Sequence, residues 1–273
     1  MFTSRRITIS GGDVFRDEYS LILDGTNDYV NFGDVLNLGT GDFSISVWIK
    51  APSDFNDTRI LIKKQDANNR YMLSCDTNNP PRLNFLGRIG GSSTIEYVGG
   101  TGISLDNLIN QWVHLVISAD RDGNIVGYIN GELDASPGTD TIDDTDIDNT
   151  GNLNIGKYDS TYYDQNISEI AYYSKALSAS EVKTIYNSRK AFNHKASAFS
   201  GNLTAWWRMG DGVLDKGAVV GDEKNLSLGS DVITNGAFAG DSDWNKNSNW
   251  TISGNVAVSD GSGTNNINQS NSL

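Results

Sequence analysis

The run Phe43 to Ile49 narrows what this chain can become more than any other. In it Phe43, Ile45, Val47 and Ile49 alternate with Ser44, Ser46 and Trp48. A period of two places one set of side chains on each face of an extended strand, a spacing that no helical stripe repeats. The run closes a longer stretch, Tyr19 to Trp48, whose first apolar segment is Leu21 to Leu23. Gly, Asn and Asp residues separate the two segments. The stretch is expected to set the fold, and its acidic loop is where specific chemistry is expected.

Short runs of the same kind recur along the chain. Arg59 to Lys63, Tyr71 to Cys75, Arg82 to Gly87, Ile125 to Ile129, Gly151 to Gly156 and Ile167 to Tyr173 all read as strands. Trp112, His114 and Val116 alternate with Val113, Leu115 and Ile117, so both faces hold apolar residues, as in a central strand. Between Ile89 and Gly100 the chain is rich in Gly and Ser, with Ile95, Tyr97 and Val98 as apolar anchors. Turns are expected at Asp66 to Arg70, at Asn79-Pro80-Pro81, at Asp120 to Asn124 and at Asn130-Gly131. Short strands punctuated this often predict a two-sheet sandwich or jelly roll. The exception is Ser178 to Lys190, where Ser178 and Glu181 form a capping box and Val182, Ile185 and Tyr186 share one helical face. This helix is expected to cover one end of the sandwich.

Charge and cysteine content limit the function classes. Over 273 residues, 34 acidic and 21 basic side chains leave a formal charge of -13, which argues against a nucleic-acid-binding surface. Acidic loops can instead keep a protein soluble or hold hard cations. The lone cysteine, Cys75, excludes an intrachain disulfide and reads as a buried, inert thiol. The N-terminal MFTSRRITIS lacks an apolar core of signal-peptide length, and no run approaches the roughly 18 apolar residues of a membrane span. Synthesis in a cytoplasm without membrane insertion is the expectation.

The segments SLILDGTNDYVNFGD, DFSISVWIK, QWVHLVISADRDGNIVGYINGE, LNIGKY and ISEIAYYSKALSASEVKTIYNS follow one another in order. Together, from about Tyr19 to Arg189, they resemble the concanavalin A-like lectin/glucanase superfamily, in particular its laminin-G-like jelly rolls. The resemblance implies an all-β sandwich with one curved, concave face and Trp48 and Trp112 in the core or lining that face. Such domains mostly bind rather than catalyse. The glycoside hydrolases of the superfamily carry a Glu-x-Asp-x-x-Glu-like cluster on one strand, and hydrolysis needs two facing carboxyls. Here the candidate strands carry Ser, Leu, Trp and His, and the acids fall in loops, so no enzyme is expected.

Related domains also hold a structural calcium near the opening loop. The matching positions are Asp24, Asp28 and Glu169, with Ser168 standing where relatives carry an acid; carbonyls of Asn31 and Gly33 could complete the shell. The competing reading is that Asp24 and Asp28 only stabilise turns. Tyr158, Tyr162 and Tyr163 offer faces on which a sugar could stack, or pack against a neighbouring loop. His114 and His194 lack a partner at metal or triad spacing and read as structural. Asp140 to Asp148 is acidic like an EF-hand loop but lacks its glycine and terminal glutamate.

The chain divides into an N-terminal arm (1–18, with a brief strand at Arg5 to Ser10), the jelly roll (19–190), a linker carrying WWRMGD (191–230) and a short β-rich extension (231–273). The GNLTAWWRMGD segment is expected to return to the jelly roll as an edge strand. The extension, with ITNGxFxxDSxW and WTISG, resembles the start of a galactose-binding-like sandwich too short to stand alone, with Trp244 and Trp250 as packing anchors. The combination resembles structural proteins of tailed bacteriophages. It implies a non-enzymatic virion protein (capsid decoration, fibre or adhesin) assembled in the host cytoplasm. Its partners would be other capsid or tail proteins in a multicopy assembly, and cell-surface glycans. An extracellular bacterial carbohydrate-binding protein and a divergent glycosidase are the alternatives.

Overall fold

The computed structural model describes residues 19–52, 55, 58–76, 81–100, 103–134 and 144–211, and four short strands beyond them. The N-terminal arm with its expected strand, Asn79-Pro80, the first half of the 140–149 loop and residues 212–230 lie outside the described residues.

Fifteen strands, one α-helix and four short 3-10 turns are described up to Asp211. The strands open with β1 (Leu21–Asp24), β2 (Val30–Asn31), β3 (Phe43–Lys50), β4 (Arg59–Lys64), β5 (Arg70–Cys75), β6 (Leu83–Ile89), β7 (Ser92–Val98) and β8 (Trp112–Ala119). After them come β9 (Ile125–Ile129), β10 (Glu132–Asp134), β11 (Asn152–Ile155), β12 (Lys157–Tyr158), β13 (Thr161–Tyr162), β14 (Asp164–Tyr173), α1 (Ala179–Tyr186) and β15 (Leu203–Trp207). One antiparallel sheet, here sheet A, runs β1-β14-β3-β8-β9-β10 with β15 also on β14; sheet B runs β2-β11-β4-β5-β6-β7. This is the expected jelly-roll sandwich. Asn130 and Gly131 both have positive φ (53° and 78°), the conformation of a tight hairpin turn between β9 and β10.

The core lies between the sheets. Phe43, Ile45, Val47 and Ile49 of β3 and Val113, Leu115 and Ile117 of β8 meet Leu61, Tyr71, Leu73, Phe85 and Tyr97 of sheet B. Cys75 belongs to this core, and burial pushes its thiol well above the ordinary range, so it is inert. Lys63 also points inward; its ammonium is fully buried, ion-paired with Asp34 and hydrogen-bonded to the Val35 carbonyl at 3.0 Å. That pairing ties the loop after β2 to the sheet.

The outer face of sheet A is also covered, and here the structure corrects the expectation that α1 would cap one end of the sandwich. Val182 and Ile185 of α1 pack on Val116, Tyr128, Ala171 and Tyr173, and Tyr186 stacks over Trp48 (5.8 Å between ring centroids). The capping box is present: Ser178 Oγ accepts from the Glu181 amide, and the Ser178 amide donates to Glu181 Oε2 at 2.9 Å. Asn187, in the left-handed region, ends the helix after about two turns. The expected linker likewise begins as part of this cover, with Phe192, His194 and Phe199 packed beside Tyr173 and Trp206.

The WWRMGD segment completes sheet A as expected. β15 pairs with residues 170–173 of β14, while β1 pairs with residues 164–167 of the same edge. Two strands thus lie end to end along β14. Between them a bulge inserts one extra residue opposite β3, and Glu169 there has φ of 50°. The amide of Tyr19 donates to Asp211 Oδ2 at 2.8 Å, joining the segments that leave the facing ends of β1 and β15.

Residues from Leu226 onward form a separate compact unit. Within it β16 (Trp244–Lys246) pairs with β19 (Ile267–Gln269), and β17 (Trp250–Ser253) pairs with β18 (Val256–Ser259). Both ladders are two-stranded, too small to be stable as isolated hairpins.

Candidate ligand-binding face

With sheet A covered, the chemistry-bearing surface is the outer side of sheet B. Inward positions of β4, β5 and β6 are occupied by Leu61, Tyr71, Leu73, Leu83 and Phe85, so alternation sends the residues between them outward. Cross-strand register then sorts these into rows. Ile62, Met72 and Leu86 stand opposite one another across three strands; Ile62 is buried, and the half-buried Met72 and Leu86 form a short apolar strip. Next to it Lys64, Arg70 and Arg88 stand opposite one another, a row of three cations. Arg59 lies on the other side of the strip, its guanidinium against Met72 Sδ.

A hairpin borders this face. β12 and β13 pair Lys157 with Tyr162 and Tyr158 with Thr161, so the two tyrosines leave opposite sides of the ribbon. Asp159, with φ of 55°, makes the turn and accepts from Lys64 Nζ at 2.6 Å. Tyr158 turns toward sheet B, where Lys64 Nζ stands 4.5 Å from its ring centroid and the Arg59 guanidinium 5.0 Å. Tyr162 turns the other way and meets Tyr29 at 6.1 Å, with Lys157 Nζ 4.2 Å from the Tyr29 ring. Tyr29 is among the exposed large side chains of the described chain, at 42%. Tyr163 contributes through its backbone, donating to the Gly156 carbonyl at 2.9 Å to close the hairpin. Of the three tyrosines singled out from sequence, two thus present rings beside cations, on different sides. Tyr29, the third ring of the cluster, is distant in sequence and was not singled out; its place in NDYVN gives no hint of Tyr162.

The three residues expected to share a calcium are not brought together. Asp24 stands opposite Asp164 in the β1–β14 register, and Glu169 follows five residues further along β14, on the order of 15 Å away at strand rise. Glu169 is buried on the sheet A side, where Trp206 Nε1 donates to its Oε2 at 2.6 Å and Arg208 Nε to its Oε1 at 3.3 Å. The bulge turns Glu169 toward these partners and away from the opening loop. Asp24 Oδ1 accepts from the amides of Thr26 (2.8 Å) and Asn27 (3.3 Å), and the Thr26 bond foremost holds its carboxyl below the ordinary range. That is the turn-stabilising role. The backbone of Asp28 passes close to Gly156, whose φ is 76°. Among the described residues, no group of three or more His, Cys, Asp or Glu is gathered that could hold a metal ion.

Both histidines are built into the cover of sheet A. His114 Nε2 lies 2.8 Å from Ser46 Oγ under Tyr186. His194 Nδ1 lies 2.5 Å from the Tyr173 hydroxyl, and burial, followed by the charges of Glu169 and Glu181, drives that hydroxyl's pKa up.

The chain is similar to parts of several known proteins. Botulinum neurotoxin type E of Clostridium butyricum is 27% identical over 196 residues, 66% of this chain and 14% of the toxin. Type F of Clostridium botulinum strain Langeland is 28% identical over 167 residues, 54% of this chain and 12% of the toxin. The chain therefore spans about one seventh of the length of these curated relatives. Among solved structures, the binding domain of Paraclostridial Mosquitocidal Protein 1 aligns with 69% of this chain and 47% of its own (20% identity, TM-score 0.49). A heptameric SAP-like pentraxin from Limulus polyphemus aligns with 77% and 91% (17% identity, TM-score 0.44). The laminin-G family model, described as the concanavalin A-like lectin/glucanases superfamily, matches residues 24–183, more than half of the sequence, and the chain belongs to that superfamily.

Proposed function

We propose that this domain is a non-enzymatic, lectin-like module that binds glycan along the outer face of sheet B and the bordering hairpin. The observation that carries the reading is the position of Tyr158, its ring flanked by the Lys64 ammonium and the Arg59 guanidinium at the border of the face. Sugar rings present apolar C–H faces that stack on aromatic rings and hydroxyls that need donors and acceptors nearby. This face supplies both. The acids of the described strands do not make a hydrolytic pair there: Glu96, opposite Leu86, is the one strand acid that register places on this face, Glu169 is buried on the opposite sheet, and Asp134 is packed against the Tyr97 hydroxyl at 3.1 Å.

A glycan array followed by titration calorimetry tests the reading. The intact chain should bind at least one glycan, and Tyr158→Ala should weaken that binding about tenfold or more while leaving circular dichroism unchanged. Undiminished binding by the variant, or no glycan bound at all, would remove the proposal.

A second reading places the chain on a virion surface, where many copies compensate weak binding per site. The C-terminal extension favours it, because its two described ladders are two-stranded and too small to be stable alone. Co-purification with phage particles is the expected result, and absence from purified particles of the encoding phage would end that reading.

A further inference from the structure

We infer that the Lys64–Arg70–Arg88 row recognises the carboxylate groups of an acidic glycan, one built from uronic or sialic acid sugars. This rests on the glycan-binding reading and gives it a ligand class. Three observations lead to it. The first is the register itself. Lys64 faces Arg70 and Arg70 faces Arg88, so three cations stand side by side on adjacent strands, although like charges directly opposite destabilise a sheet. They do so in a chain whose formal charge is -13, where acidic partners are plentiful.

The second observation is how little of that charge is compensated. Lys64 is paired with Asp159. Arg70 donates through Nη1 to the Ala67 carbonyl, a neutral acceptor. Arg88 has no acidic partner among the described residues, and the Nε atoms of both Arg70 and Arg88 are shielded from water without a hydrogen-bond partner there. Shielded cationic donors are costly to leave unpaired, and a guanidinium offers them in a planar fork that matches a carboxylate.

The third observation is what flanks the row. The half-buried Met72 and Leu86 form the apolar strip on one side, and the Tyr158 ring stands over Lys64. A ligand fitted to the whole face has an anionic edge and an apolar face, which describes an acidic sugar ring. A nucleic acid fits less well. The row spans only about 10 Å at normal strand spacing, and the acidic remainder of the protein repels an extended polyanion.

The test is calorimetry of the intact chain with sialyllactose and oligogalacturonate, each against its neutral counterpart (lactose, and the carboxyl-reduced oligomer). At least one carboxylated probe should bind about tenfold or more tighter than its counterpart, with affinity falling as salt rises. In Arg70→Gln/Arg88→Gln the preference should vanish, and Arg70→Lys/Arg88→Lys should retain part of it. Equal affinity for charged and neutral forms, or a preference that survives in the Gln variant, would overturn the inference. Neutral glycan bound equally by both proteins but lost in Tyr158→Ala would keep the lectin reading and remove the row. No glycan bound at all would remove both. Tighter binding of heparin or of a DNA duplex than of either carboxylated probe would overturn the assignment to carboxylates. A fall of several degrees in the melting temperature of the unliganded Gln variant would show that the row serves the chain's own packing, and would overturn it as well.

Discussion

The two outer faces of the sandwich solve the same problem in opposite ways. On sheet A, alternation sends Ser44, Ser46, Trp48, His114 and Ser118 outward, and every one of them is buried, Ser44 and Ser118 against the segment that leads into α1 and Trp48 and His114 against Tyr186. Its serine hydroxyls are satisfied locally: Ser44 Oγ donates to the Lys175 carbonyl at 2.8 Å and accepts from the Leu177 amide at 2.9 Å. On sheet B, the same alternation sends out cations and an apolar strip, and the Arg70 and Arg88 Nε atoms lack partners among the described residues. A face whose hydroxyls are paired within the fold is built for stability; one that leaves cationic donors open is built for something else.

If that contrast is right, the largest stability losses belong to the cover of sheet A. Trp206 is 2% exposed, packs on His194 and donates to Glu169. Trp206→Ala is expected to cost about 3–5 kcal/mol in urea unfolding, from the cavity left by the indole. Glu169 would also lose a donor. A loss below about 1 kcal/mol would mean that the cover is loosely held and the contrast overstated.

The helix that forms part of the cover gives the next test. Ser178→Ala removes the side-chain acceptor for the Glu181 amide and should cost about 1 kcal/mol. Glu181 adds a pH dependence. Burial raises its pKa, but bonds from the Lys175 ammonium and from Ser178 outweigh that and leave it below the ordinary 4.5. A depressed folded pKa means the contribution is present above the unfolded value and is lost as pH falls through the folded one. Glu181→Gln should therefore lower stability modestly at neutral pH and flatten the acid limb of the profile below about pH 4.5, so that variant and parent converge in acid. An unchanged slope would show that the Lys175 bond is not maintained in solution.

Much of this architecture was legible in the sequence because period-two alternation records burial directly, as in Phe43 to Ile49. The capping box announced where α1 starts. It could not announce what the helix covers, because Ser178 and Glu181 describe only their own turn. Strands β2, β12 and β13 are two residues each, too short to carry a period. Glu169 was misplaced because a bulge breaks the alternation there, which no residue type in ISEIAYY betrays. The cation row was hidden for a different reason. Lys64, Arg70 and Arg88 are separated along the chain and meet only through antiparallel register, and the net charge of -13 averages them away. Composition limits the whole surface and says little about one face of it.

On sheet B the comparison predicts small effects of the opposite sign. Arg88→Gln removes a like charge facing Arg70 without opening the core, and should raise stability by about 0.2–1 kcal/mol. Destabilisation of more than about 1 kcal/mol would mean that Arg88 is a packing residue and that the two faces are alike.

The smallest expected effect is none, and it concerns the loop where specific chemistry was first expected. Asp24 is already occupied by the amides of Thr26 and Asn27, and Glu169 by Trp206 and Arg208. Neither carboxylate is turned toward the other. A calcium ion needs six to eight oxygens converging on one point, and a site that bound only the folded state would raise the melting temperature with concentration. Melting curves in EGTA and in millimolar calcium should therefore superimpose. A calcium-dependent rise of several degrees that disappears in Asp24→Asn would show that the opening loop gathers ligands other than Glu169, and would return that loop to the centre of the domain's chemistry.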